Sequence, residues 1–157
     1  MNVEKEIEAL LSEAEELFDM RYLQEARKQC DNIQSLLSNT QNKELRAKVF
    51  KLLFRIYAEL AGEAITEFDQ KDFLLAATQA YNQLISEAPD QGFFDTEKFE
   101  FLELIGVGGM VFVFKVSVKD RGVIAEHEKI SKGDIVALKA LKPESVSYTH
   151  LTLPTKA

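Results

Sequence analysis

The chain has 157 residues, 46% hydrophobic and 29% charged, the range of an ordinary folded protein with one domain or two small ones. Its net charge of -7 and sequence pI near 5.0 argue against general nucleic-acid binding, because neutralising phosphates requires an excess of Lys and Arg. Cys30 is the only cysteine, so neither an intrachain disulfide nor a cysteine zinc site can form.

The acidic start Met1-Asn2-Val3-Glu4-Lys5-Glu6 is not a signal peptide, and no apolar run reaches the length of a membrane span. A cytoplasmic location is expected. From Val3 to about Ala88 there is no proline and one glycine, Gly62, which predicts long uninterrupted helices. Ile7, Leu10, Leu11, Ala14, Leu17 and Phe18 recur at helical spacing in a first helix. A second carries Leu23, Ala26, Cys30, Ile33 and Leu37. The third is longer, with Leu45, Val49, Leu52, Leu53, Ile56, Leu60 and Ala64 on one stripe. A fourth is expected from Asp72, read as its N-cap, with Phe73, Ala77, Ala80, Tyr81, Leu84 and Ile85. Polar joints are expected at 19–21, 38–42 and 69–71, which makes neighbouring helices antiparallel. Cys30 lies on an apolar stripe, where a buried inert thiol is expected.

The helical hairpins resemble tetratricopeptide repeats loosely. Ala77, Tyr81 and Pro89 stand where that repeat has a small residue, an aromatic and a helix-ending proline, and Ala14 and Ala26 do the equivalent in the first hairpin. A four-helix bundle without repeat ancestry is the alternative. Either way, residues 1–89 are expected to form a helical module able to hold a protein partner, and 90–98, with Ala88-Pro89-Asp90-Gln91-Gly92 breaking the pattern, a linker.

At Phe99 the period changes. Phe99-Glu100-Phe101-Leu102-Glu103-Leu104 and Val111-Phe112-Val113-Phe114-Lys115-Val116-Ser117-Val118 read as strands, with Gly106-Val107-Gly108-Gly109-Met110 between them. A P-loop would end in Gly-Lys-Ser/Thr, which does not follow. A Rossmann turn would open a helix, but a strand follows. Strand, glycine turn, strand is the remaining phosphate-binding arrangement, in which tip amides cover a nucleotide's phosphates and glycine keeps side chains out of the way. The polar connection 119–134 reads as an insertion or an extended hairpin. Within it, His127 between Glu126 and Glu128 reads as a solvated polar loop, because neighbours on a strand point to opposite faces. A third strand then carries Val136-Ala137-Leu138-Lys139.

These residues resemble the nucleotide edge of a protein kinase, and Gly106 to Phe114 is similar to the Gly-x-Gly-Gly-Met-Gly-x-Val-Tyr loop of bacterial serine/threonine protein kinases. Gly106 and Gly108 match the first two glycines, Val113 the valine over adenine and Phe114 the aromatic that follows. Val111 stands where the family has its third glycine. Val136-Ala137-Leu138-Lys139 matches Val-Ala-x-Lys. The resemblance implies ATP and Mg2+ as cofactors and protein substrates for the parent. It implies an ATP site of Ile105, Gly106, Val107, Gly108, Gly109, Met110, Val111, Val113, Ala137 and Lys139, with Lys139 pairing the α- and β-phosphates.

A kinase also needs a helix glutamate, a catalytic aspartate, and an Asn and an Asp for magnesium. Past Lys139 there is no His-Arg-Asp and no Asp-Phe-Gly, and Glu144 follows Pro143 too closely to be the helix glutamate. The expectation is an α+β fragment: helical bundle, then residues 99–145 as an incomplete, three-stranded antiparallel kinase N-lobe sheet with one face uncovered, itself inactive. Residues 146–157 resemble one reading frame of a transposon-end adapter used in sequencing libraries and read as non-native; a genuine β-rich terminus is the alternative. The rival to the kinase reading is a helical scaffold whose hairpin binds no nucleotide.

Overall fold

The computed structural model describes residues 2–119, 124–125, 128–143 and 153–156. Four helices, α1 (Val3–Asp19), α2 (Leu23–Leu37), α3 (Lys43–Glu63) and α4 (Glu67–Glu87), precede the strands β1 (Phe99–Val107), β2 (Val111–Val118), β3 (Ile124–Ala125), β4 (Glu128–Lys129), β5 (Ile135–Leu141) and β6 (Leu153–Lys156). The fold is α+β.

Three of the helices begin on a capping side chain. The Asn2 side chain accepts from the Glu4 amide, Asn42 from Leu45 and Thr66 from Asp69, so α1, α3 and α4 each have one otherwise orphaned N–H satisfied. The end of α1 is turned by Arg21, which has φ of 65°, while the Tyr22 amide reaches back to the Leu17 carbonyl at 2.8 Å. That is the hydrogen-bond pattern that glycine usually supports. Pro89 opens a single 3-10 turn, Pro89–Gln91, just past α4.

The expected start of the fourth helix is corrected by this geometry. Asp72 and the 69–71 joint lie inside α4, and the turn between α3 and α4 is at 64–66. The Thr66–Asp69 contact caps the helix two turns before Asp72, and nothing in Asp69-Gln70-Lys71 breaks a helix.

Helix α3 is central: Leu45, Ala47, Val49, Phe50, Leu52, Leu53, Phe54, Ile56, Ala58, Leu60 and Ala61 are all buried. It has neighbours on several sides, with α4 its most extensive contact and β1 of the sheet also against it. Ala14, Ala26 and Ala77 are fully buried on their helices, as is Cys30.

The main sheet has the order β1-β2-β5-β6, all antiparallel, and β3 pairs with β4 in a separate small hairpin inside the long polar connection. The expected three strands are thus joined by a fourth, because Leu153–Lys156 runs along the open edge of β5. An exposed edge presents unpaired N–H and C=O groups that an extended segment can complete. His127 and Glu144 lie outside the described residues.

Alternation decides which sheet face meets the helices. Phe112, Phe114, Val116 and Val118 of β2 are buried, as are Val136, Leu138 and Ala140 of β5 and Phe101 and Leu104 of β1. Phe54 and Tyr81 reach this face from α3 and α4. Their ring centroids lie 5.0 Å from Phe112 and 4.7 Å from Phe101 respectively. Residues 90–98, expected as a linker, carry Phe93 and Phe94 into the same aromatic cluster. The Tyr81 hydroxyl accepts from the Phe93 amide at 2.8 Å. One hydrophobic core therefore runs from Ile7 to Ala140.

Candidate functional site

The glycine hairpin is tighter than the sequence suggests. Gly106 and Val107 belong to β1 and pair with Val113 and Phe112, so the turn proper is Gly108, Gly109 and Met110. The Gly108 amide donates to the Val111 carbonyl at 2.9 Å across it. Neither Gly108 nor Gly109 has a positive φ. A β-carbon on Gly109 would meet nothing within 4 Å, whereas one on Gly108 would lie 3.2 Å from Val111 Cγ2. The fold therefore places no steric demand for glycine on position 109. The residue leaves bare backbone at the tip.

The pleat sorts the expected site residues. Val111, Val113, Ala137 and Lys139 alternate with the buried residues of β2 and β5 and so share the face turned away from the helices. Val113 is directly opposite Lys139 in the ladder, and Ala137 is opposite Lys115. Ile105 falls in a β1 bulge beside the Gly106–Val113 pair and is 38% exposed. Lys139 is exposed. Val107 does not join this group: paired with Phe112, it turns to the helix side, where a β-carbon on Gly62 would lie 3.4 Å from its Cγ1. Strict alternation past the bulge is the reason.

Sequence reasoning missed Lys142. It follows β5 and is 3% exposed, and its ammonium lies 2.8 Å from the Glu59 carboxylate on α3. The lysine that meets a helix glutamate is this one, while Lys139 points the other way. Nothing in the sequence marks the pair, because Glu59 stands far up the chain on a helix whose apolar stripe gives no hint of a lysine partner.

Other grooves are present. One of about 650 Å3 is lined by Lys51, Asp90, Phe93, Phe94 and Thr96 among others, and none of the expected site residues lines it. Burial lowers the Lys51 pKa, with Arg55 adding to the effect. Among the described residues no helix is long and apolar enough to cross a membrane. The chain matches no family model, no curated protein and no solved structure.

Proposed function

We propose that residues 99–145 are the nucleotide-gripping edge of a serine/threonine protein kinase, carried beside a helical interaction module. The observation that supports this reading best is the shared outer face. A glycine tip, Val113, Ala137 and Lys139 occupy one side of the sheet, with Lys139 across from Val113, and the helices leave that side uncovered. Apolar Val113 and Ala137 suit a flat base, bare tip amides suit phosphate oxygens, and a lysine ammonium suits their charge. ATP with Mg2+ is the proposed ligand and protein Ser/Thr hydroxyls the parent's substrate. The chain carries no His-Arg-Asp or Asp-Phe-Gly sequence, so on its own it is proposed to bind nucleotide weakly and to transfer no phosphate.

The test is amide NMR of the chain titrated with millimolar ATP. Shifts confined to 105–113 and 137–139, lost in Lys139→Met without loss of the fold, are expected. Unaltered spectra, or an equal response from Lys139→Met, would overturn the assignment. A turnover signal abolished by Lys139→Met would overturn the claim that the chain is inactive.

The rival reading, a helical scaffold, is favoured by one feature. Ile65 and Phe68, at the α3–α4 turn, are 98% and 75% exposed, far more than their own fold uses.

A further inference from the structure

We infer that Lys142 is a positioning residue for the glycine hairpin, tying the tip to the helical layer through Glu59 and Arg21. For its functional meaning this rests on the nucleotide reading of the hairpin; its geometry stands apart from that reading. The backbone amide of Lys142 donates to the Met110 carbonyl at 2.9 Å, so the residue holds the turn directly. Its ammonium lies 2.8 Å from Glu59 Oε1 and 5.6 Å from the centre of the Phe112 ring. The other Glu59 oxygen accepts from Arg21 Nη1 at 3.2 Å, and Arg21 Nη2 reaches Glu63 at 2.5 Å. An unbroken path of contacts thus runs from the α1–α2 joint, through the far end of α3, to the hairpin tip.

The chemistry of the pair points to placement rather than stability. Bringing a lysine and a carboxylate out of water offsets most of their attraction, and apolar residues of similar size in place of both would fill the space about as well. What an apolar residue lacks is direction. The ammonium must sit at the Glu59 carboxylate, so the backbone at 142, and with it the Met110 carbonyl, has one position. Arg21 in turn holds the carboxylate by its other oxygen. Its unusual backbone is consistent with this: a non-glycine residue is kept at φ of 65° where its side chain can reach both Glu59 and Glu63. Movement of the α1–α2 joint would release Glu59, then Lys142, then the tip.

The experiment is amide hydrogen exchange on the full chain, with and without millimolar ATP. Lys142→Met should speed exchange at 106–112 and 142 about tenfold or more while α1, α2 and the core of β2 exchange as before. Arg21→Gln changes a half-exposed side chain and leaves the core intact, and should speed the same amides by a smaller factor; Arg21→Lys should restore them. A merely structural role would loosen α3 and β2 together, and that result overturns the proposal. So does hairpin exchange unchanged in Lys142→Met, or, if that variant fails to fold, unchanged in Arg21→Gln. Failure of the nucleotide reading is separate: ATP would then leave the wild-type hairpin unprotected, with the effects of the variants still present.

Discussion

Gly92 shows at one residue how a sequence signal can be read correctly for an incomplete reason. Its place after Pro89 marks the end of the helices, but the structure requires glycine because a β-carbon there would lie 2.6 Å from the Tyr81 hydroxyl. That oxygen is buried and held by the Phe93 amide, so it has little room to yield. Gly92→Ala should destabilise the chain by about 1–3 kcal/mol in urea titration. Adding Tyr81→Phe removes the clashing atom, and the double variant should recover part of the loss; strictly additive effects would show that the two do not meet. Cys30 was legible as an inert core thiol from its stripe. Burial pushes its pKa from 9.0 up to about 12, with Asp31 adding to the shift, and burial also pushes the Tyr81 phenol upward against the opposing pull of the Phe93 and Phe94 amides. Both groups therefore stay protonated in the folded state over a range where the unfolded chain has lost those protons. Their contribution is fully present below pH 9 and declines as pH rises from there through the folded values, so denaturation midpoints should fall over that range. A thiol reagent at pH 8 should label Cys30 only as fast as the chain opens; immediate labelling of the native protein would contradict its burial.

At the scale of elements, periodicity located every helix and the three main strands, and the errors fell at boundaries. The start of α4 was misplaced because Asp69-Gln70-Lys71 and Asp72 together look like a joint and a cap. The decisive signal was Thr66 with Asp69 three residues on, a weaker-looking pattern that nonetheless satisfies a real amide. Thr66→Ala should cost about 1 kcal/mol in thermal denaturation, whereas Asp72→Ala, on an exposed position within the helix, should stay within about 0.5 kcal/mol. Equal effects would restore Asp72 as the cap. The glycine hairpin was legible as strand, turn, strand, but not that Gly106 is part of the ladder or that Val107 turns inward. Two bulges in β1 shift the register, and no residue type announces them. Val111→Gly would clear the outer face beside Gly108 at a cost of roughly 0.5–1 kcal/mol in strand stability. If the nucleotide reading holds, ATP affinity should be kept or raised.

For the whole molecule, the two halves were visible from the change of period at Phe99, but their union was not. A stripe tells which side of an element is buried, never what buries it. Tyr81 reads as a helix-core position and Phe54 falls off the expected stripe of its helix; in fact both meet the sheet, at Phe101, Phe112 and Phe114, each at no more than 9% exposure. Cutting the chain to 1–89 would bare this aromatic seam, and each large side chain so exposed forfeits roughly 1.5–3 kcal/mol. The truncated helices should melt with a broad transition and bind a hydrophobic dye, while the full chain melts cooperatively. A sharp melt of 1–89 alone would show that the helices need no sheet. The same seam has an optical consequence. The chain has no tryptophan, and among the described tyrosines Tyr22 and Tyr57 are at least partly open to water, whereas Tyr81 is locked among phenylalanine rings. Its near-ultraviolet circular dichroism should therefore report separation of the helices from the sheet without any label, even while the far-ultraviolet helix signal persists.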